Sequence, residues 1–64
     1  MAISIKAARV NAGLTQTEVG NRVGKSKNTI ASYEAYITIP DIETAKAMAA
    51  LFGMSVDDII WSQE

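Results

Sequence analysis

The sequence predicts an all-α fold, five short helices built around one small core. Apolar residues recur at helical spacing, as in Ile5, Ala8 and Ala12 or Ala45, Met48, Ala49 and Phe52. Helix punctuation brackets those runs: Thr15, Ser26, Asp41 and Ser55 stand where N-caps belong, and Gly13, Gly24 and Gly53 where helices should stop. A hydrophobic fraction of 48% in 64 residues is enough for one core and argues against disorder.

In chain order, the helices are predicted near residues 4–12, 16–23, 27–35, 42–52 and 56–61. The first starts near Ile3 or Ser4 and ends before Gly13, with Ile5, Ala8 and Ala12 facing the core and Arg9 beside that stripe. The second opens on Thr15 with Glu18 three residues on, a capping box, and buries Val19 and Val23. Gly24 is free to take positive φ and end it. Ser26 caps the third helix, which Ile30 and Tyr33 anchor from inside. Pro40-Asp41 breaks the chain and opens the fourth, with Ile42, Ala45, Met48, Ala49 and Phe52 inward. Ser55 caps a fifth, short helix with Asp58 at its capping-box position, and Met48 and Met54 fill the core.

Several function classes fall away on composition. With neither histidine nor cysteine, the options for general base and nucleophile shrink to carboxylates, lysines and hydroxyls, and no phosphate loop or metalloprotease pattern occurs. Catalysis is not expected, and no cofactor or small-molecule ligand is evident. Asp57 and Asp58 suit a helix N-terminus electrostatically, and without a third convergent ligand they are not read as a metal site. No apolar run approaches the roughly 18 residues of a membrane span, and Met1-Ala2-Ile3-Ser4 has no basic region of the kind that opens a secretory signal. A cytoplasmic location is the expectation. Residues 1–64 hold no linker or repeat and read as a single domain.

Charge is unevenly distributed. Residues 1–32 set five cations against Glu18, a net +4, and residues 33–64 set Lys46 against six carboxylates, a net −5. The basic half contains the second and third helices. Projected at about 100° per residue, Lys27, Asn28, Ala31 and Ser32 share the face opposite Ile30 and Tyr33. That face is short, polar and basic at its start, as in a helix-turn-helix that enters the major groove of DNA. Solvated surface charge is the plainer reading of the asymmetry, and the overall charge of −1 does not by itself favour DNA.

From Ile5 to Trp61 the chain resembles the lambda/434-repressor-like helix-turn-helix family, the Xre or Cro/C1 type. The resemblance is carried by Ile5-Lys6-Ala7-Ala8-Arg9, Gly13-Leu14-Thr15-Gln16-Thr17-Glu18-Val19, the turn at Gly24, Ile30, Glu34, Pro40 and Leu51 through Ile60, in family order and spacing. It implies a compact five-helix DNA-binding domain and a transcriptional regulator, in particular a repressor. It also implies roles for residues. Lys27, Asn28, Ala31 and Ser32 match base-reading positions, where lysine suits guanine, asparagine suits adenine and alanine can meet a thymine methyl. Gln16 matches a position that holds phosphate and buttresses the reading helix, and Lys25, Ser26 and Thr29 fit phosphate contacts. Arg9 and Glu34 match a pair that bridges the first helix to the end of the third.

The chain also departs from the family. Where the family often places glycine and then basic residues, Ala35-Tyr36-Ile37-Thr38-Ile39-Pro40-Asp41 has no cation and three large apolar or aromatic side chains. Tyrosine is costly in a left-handed conformation. The third helix is therefore expected to run past Glu34 or to end without such a cap, turning Tyr36 and Ile37 outward and packing Ile39 under Pro40. Gly20 stands where the family prefers alanine, which close packing would excuse. One short reading helix touches few base pairs, so a homodimer on a two-fold operator is expected, formed in solution or only on double-stranded DNA. Tyr36, Ile37 and Trp61 are its candidate contacts, Trp61 having core capping as its other reading. The alternative function is a protein-interaction module, antitoxin-like or a phage-regulator partner, that keeps the fold and uses the Tyr36–Ile39 loop. No ligand-binding or oligomerisation segment is seen in the sequence, so the expectation is a bare DNA-binding head, a Cro-sized regulator or an excised domain.

Overall fold

Four helices start on four side chains that accept orphan backbone N–H groups. Ser4 Oγ takes the Ala7 N–H at 3.0 Å, Ser26 Oγ that of Thr29 at 3.1 Å and Asp41 Oδ1 that of Thr44 at 2.9 Å. Thr15 and Glu18 form a complete capping box: the Glu18 N–H donates to Thr15 Oγ1 at 3.1 Å and the Thr15 N–H to Glu18 Oε1 at 2.9 Å. In the computed structural model, which describes residues 1–63, these caps open α1 (Ile5–Asn11), α2 (Gln16–Val23), α3 (Lys27–Glu34) and α4 (Ile42–Phe52). Among the described residues, no helix is long and apolar enough to cross a membrane.

The core is a single cluster. Ile5, Val19, Ile30 and Met48 are fully buried, and Ala8, Tyr33, Ala49, Phe52 and Ile59 close around them. Leu14, Val23, Met54 and Trp61 pack against its rim. All four helices thus contribute, and α2 and α3 pack directly on each other.

Among the described residues, five helices are not what forms: four α-helices are followed by a single 3₁₀ turn, Val56–Asp58. Ser55 does cap it, but through the Asp57 N–H at 3.3 Å. The chain then extends into β2 (Ile59–Ile60), which pairs in parallel with β1 (Ile3–Ser4), Ile3 opposite Ile59 and Ser4 opposite Ile60. Two consecutive β-branched residues beside an available partner strand favour the ladder over another helical turn. Burial follows the two-residue period, with Ile59 inside and Ile60 outside. The same pairing makes Ser4 the cap of α1 instead of part of it.

Two expected core residues lie outside. Ala12 is exposed because it caps the frayed end of α1, its N–H shared between the Ala8 and Arg9 carbonyls. Ile42 is 62% exposed, and Thr44 takes an inner place instead. At about 100° per residue, Ile42 sits roughly 90° from the centre of the stripe formed by Thr44, Ala45, Met48, Ala49 and Phe52.

The end of α3 also differs from expectation. It neither runs on nor avoids a left-handed cap: Ala35 caps it and Tyr36 adopts φ 59°. The Tyr36 N–H donates to the Tyr33 carbonyl at 3.1 Å and the Ile37 N–H to the Ser32 carbonyl at 3.0 Å, a Schellman motif. Glycine takes the equivalent positive φ at Gly13, Gly24 and Gly53. Tyrosine bears a penalty of about 1–2 kcal/mol there. Two contacts offset it: the ring packs against the core, and the hydroxyl donates to the Ile60 carbonyl at 2.9 Å. Tyr36 is therefore half-buried, not turned outward. Ile37 does face out, at 76% exposed. So does Ile39, at 63%, while Pro40 is the buried member of that stretch.

Gly20 is inside α2 because the turn lies against it. A Cβ at this position would meet the Lys25 carbonyl oxygen at 2.5 Å, and the Lys25 N–H already donates to the Gly20 carbonyl at 2.8 Å. Helix propensity alone predicts that Gly20→Ala stabilises by about 0.5–1 kcal/mol. The close backbone approach predicts the opposite, a net loss of about 1–3 kcal/mol in a urea melt. Unchanged or increased stability would show that the turn yields freely.

Candidate nucleic-acid interface

The geometry of the α2–turn–α3 unit follows from its backbone. Gly24, at φ 73°, reverses the chain, Ser26 restarts it, and Ile30 and Tyr33 hold α3 against the core. The outward side begins with Lys27 and Asn28, both exposed, and continues through Ala31 and Ser32, both half-buried. No carboxylate lies in the first turn of α3, so the positive N-terminal end of its dipole is left to Lys25 and Lys27. That arrangement suits an external anion.

Three of the four residues expected at phosphates, Lys25, Ser26 and Thr29, stand at this helix start, and Gln16 lies by the far end of α3. Lys25 and Ser26 are exposed and Thr29 is half-buried. The Ser26 and Thr29 hydroxyls share one hydrogen bond of 3.0 Å, in which either can donate. One of the two hydroxyl hydrogens therefore stays free for an outside acceptor. Gln16 sits at the N-terminal end of α2, its Nε2 donating to Glu34 Oε1 at 3.1 Å. A carboxylate oxygen only accepts, which fixes the amide orientation and leaves the second Nε2 hydrogen unassigned.

Behind the face, Arg9 and Glu34 form an ion pair with side chains only 12% and 6% exposed. Arg9 Nε donates to Glu34 Oε2 at 2.5 Å, Arg9 Nη2 to Glu34 Oε1 at 3.3 Å and Arg9 Nη1 to the Leu14 carbonyl at 2.8 Å. With Gln16, this network joins α1, the α1–α2 turn, the start of α2 and the end of α3. Two hydrogen bonds were not foreseen, one inside this network and one apart from it. The Leu14 carbonyl had no sequence signal beyond the five donors of a guanidinium, which outnumber the acceptor sites of one carboxylate partner. The Tyr36 hydroxyl, spanning to Ile60, had none at all.

Two carboxyls at helix starts are held below their ordinary range. Glu18 is lowered by hydrogen bonds from the Thr15 backbone and then the Thr15 side chain, and Asp41 chiefly by the side chain and then the backbone N–H of Thr44. The Lys25 ammonium adds a smaller lowering at Asp41, so one cation of the basic side has an acidic neighbour within the chain. Trp61 is half-buried, its Nε1 donating to the Val56 carbonyl at 2.9 Å.

If the Arg9–Glu34 pair is what fixes α3, Glu34→Ala leaves a buried guanidinium with only the Leu14 carbonyl. A chemical melt should then show a loss on the order of 3 kcal/mol. A loss below about 1 kcal/mol would mean that the pair behaves as an exposed bridge.

Comparison with known proteins agrees with this geometry. A family model described as helix-turn-helix, HTH_3, matches residues 5–59. Over 60 residues, 94% of the chain, there is 33% identity to the cryptic phage CTXphi transcriptional repressor RstR of Vibrio cholerae. Over the same length, identity is 30% to the HTH-type transcriptional regulator ImmR and 28% to the uncharacterized HTH-type transcriptional regulator YgzD, both of Bacillus subtilis strain 168. The chain spans about half of the first two, 54% and 47%, and 91% of YgzD. No solved structure matches it.

Proposed function

The chain belongs to the helix-turn-helix family, and from that premise we propose that it is a sequence-specific DNA-binding transcriptional regulator, a repressor, that inserts α3 into the major groove. The observation that carries this reading is the start of α3. Lys27 and Asn28 are exposed there, no carboxylate stands in the first turn, and Glu34 at the far end is locked to Arg9. Lys27 and Asn28 read bases, with Ala31 and Ser32 completing the face. Lys25, Gln16 and the Ser26–Thr29 hydroxyl pair contact phosphates and set the register. The similarity to a phage transcriptional repressor supports the direction of regulation.

Selection from a random duplex pool tests this reading. The protein should enrich one motif. Lys27→Ala and Asn28→Ala should each relax preference at particular positions of it, by about 1–3 kcal/mol per bidentate contact. Lys25→Ala should weaken all duplexes alike and lower the salt slope by about one. Unchanged preference in both reading-face variants would place recognition elsewhere.

One reading helix of eight residues covers too few base pairs for useful specificity, so the active form is a homodimer on a two-fold operator. Within the loop, Ile37 is the side chain available for that contact, because Tyr36 is half-buried with its hydroxyl on Ile60. Ile37→Ser should weaken binding to a full operator at least tenfold and leave a half-site unaffected. Equal loss on both would put the loop on DNA. No loss on either would favour the alternative, in which exposed Ile37, Ile39 and Ile42 engage a different protein.

A further inference from the structure

The strained cap of α3 ends on a residue that reaches across the molecule. Tyr36 lies in the left-handed region at φ 59°, and among the described residues it is the one non-glycine residue there. Strain of this kind persists only where surrounding contacts hold it, and it concentrates at functional sites. Here the holding contact is specific. The phenol donates to the carbonyl of Ile60, and Ile60 is paired through β2 to Ser4, the residue that caps α1. The end of the reading helix is thus fastened to the same frame twice, by Glu34 on Arg9 and by Tyr36 on β2.

The two fastenings act on different parts of the helix. Glu34 holds its last turn from the side facing α1. Tyr36 fixes the turn beyond, and that turn closes on a base-reading residue: the Ser32 carbonyl accepts the Ile37 N–H at 3.0 Å. Lys27 and Asn28, at the other end, depend on the Gly24 turn and the Ser26 cap instead.

We propose that Tyr36 is a positioning residue for base reading: its hydroxyl, anchored on the Ile60 carbonyl, sets where Ser32 and Ala31 stand in the groove. The inference rests on the DNA-reading function proposed above. It predicts a positional effect. Loosening the latch degrades discrimination at operator positions facing Ser32 and Ala31 and spares those facing Lys27 and Asn28. A residue that only stabilised the fold would lower binding to every position alike, because it would change only the fraction folded.

Tyr36→Phe is the direct test, since it keeps the ring and deletes only the hydroxyl. Tyr36→Asn serves as a second variant, because asparagine tolerates positive φ but cannot reach Ile60. Both are assayed well below their melting temperatures on the motif selected by the wild type and on its single-base variants. The expected result for both is a roughly fivefold or greater loss of discrimination at the Ser32 and Ala31 positions, little change at the Lys27 and Asn28 positions, and an unaltered salt slope. In the free protein, the Ile37 amide should exchange with solvent roughly fivefold or more faster than in the wild type. Wild-type discrimination at every position in Tyr36→Phe overturns the latch while leaving the DNA reading intact. So does a uniform loss across positions. A wild type that enriches no motif overturns both.

Discussion

A guanidinium and a carboxylate enclosed together in a 64-residue domain set the terms for everything around them. Neither Arg9 nor Glu34 can be left unpaired at this burial without a large penalty, because the interior supplies no water to replace a missing partner. Satisfying them consumes the geometry of four segments. Glu34 accepts from Arg9 through both oxygens and from Gln16, and the remaining reach of Arg9 goes to the Leu14 carbonyl. The end of α3, the start of α2 and the α1–α2 turn are thereby fixed against α1. Replacing the pair with well-packed apolar residues would in principle cost little stability. The pair adds direction to the apolar contacts of Ile30 and Tyr33: a fork of donors meeting two acceptors helps fix the rotation of α3 about its axis.

The apolar core draws on every helix. Its four fully buried large side chains come from four different helices, one each from α1, α2, α3 and α4. Such a core holds the helices together. Backbone-level contacts add to it. Gly20 lets the turn come within a contact distance that no Cβ would allow, and the β1–β2 pairing ties the two ends of the described chain to each other. For a chain without cysteine, these close approaches do some of what disulfides do in other small domains.

Chemistry within a few residues was legible in the residues themselves; between distant segments only the Arg9–Glu34 pair was expected, and that through the family resemblance. Thr15 with Glu18, Ser26 and Asp41 act within three residues of themselves, so their caps could be read directly, as could the glycines that end α1, α2 and α4. The turn and the outward face of α3 followed from those caps plus the spacing of Ile30 and Tyr33. The failures share a cause. Ile59-Ile60 became a strand because Ile3-Ser4 lies beside it, a partner more than 50 residues away. Tyr36 tolerates positive φ because the Ile60 carbonyl is in reach of its hydroxyl, again a distant group. Local rules correctly priced that backbone as unfavourable for tyrosine and had no access to what offsets it. Ile42 failed for a smaller reason: its position at the edge of the α4 stripe left its side to be decided by tertiary packing.

The same distant contact bears on how a chain of net charge −1 could bind DNA. Phosphate neutralisation supplies most of the affinity of nucleic-acid binders, and this chain offers few cations for it. Lys25 and Lys27 flank the start of α3, the loop after Glu34 has no cation, and Lys25 has Asp41 nearby. A weak electrostatic contribution shifts the demand onto base contacts, which tolerate little misplacement. On the proposed reading, fixing both ends of α3 answers that demand: the capped turn at one end, and Glu34 and Tyr36 at the other, would reduce the conformational freedom that each base contact must remove. On the proposed reading, the chain exchanges some of the non-specific grip of its family for a reading face held in place before DNA arrives.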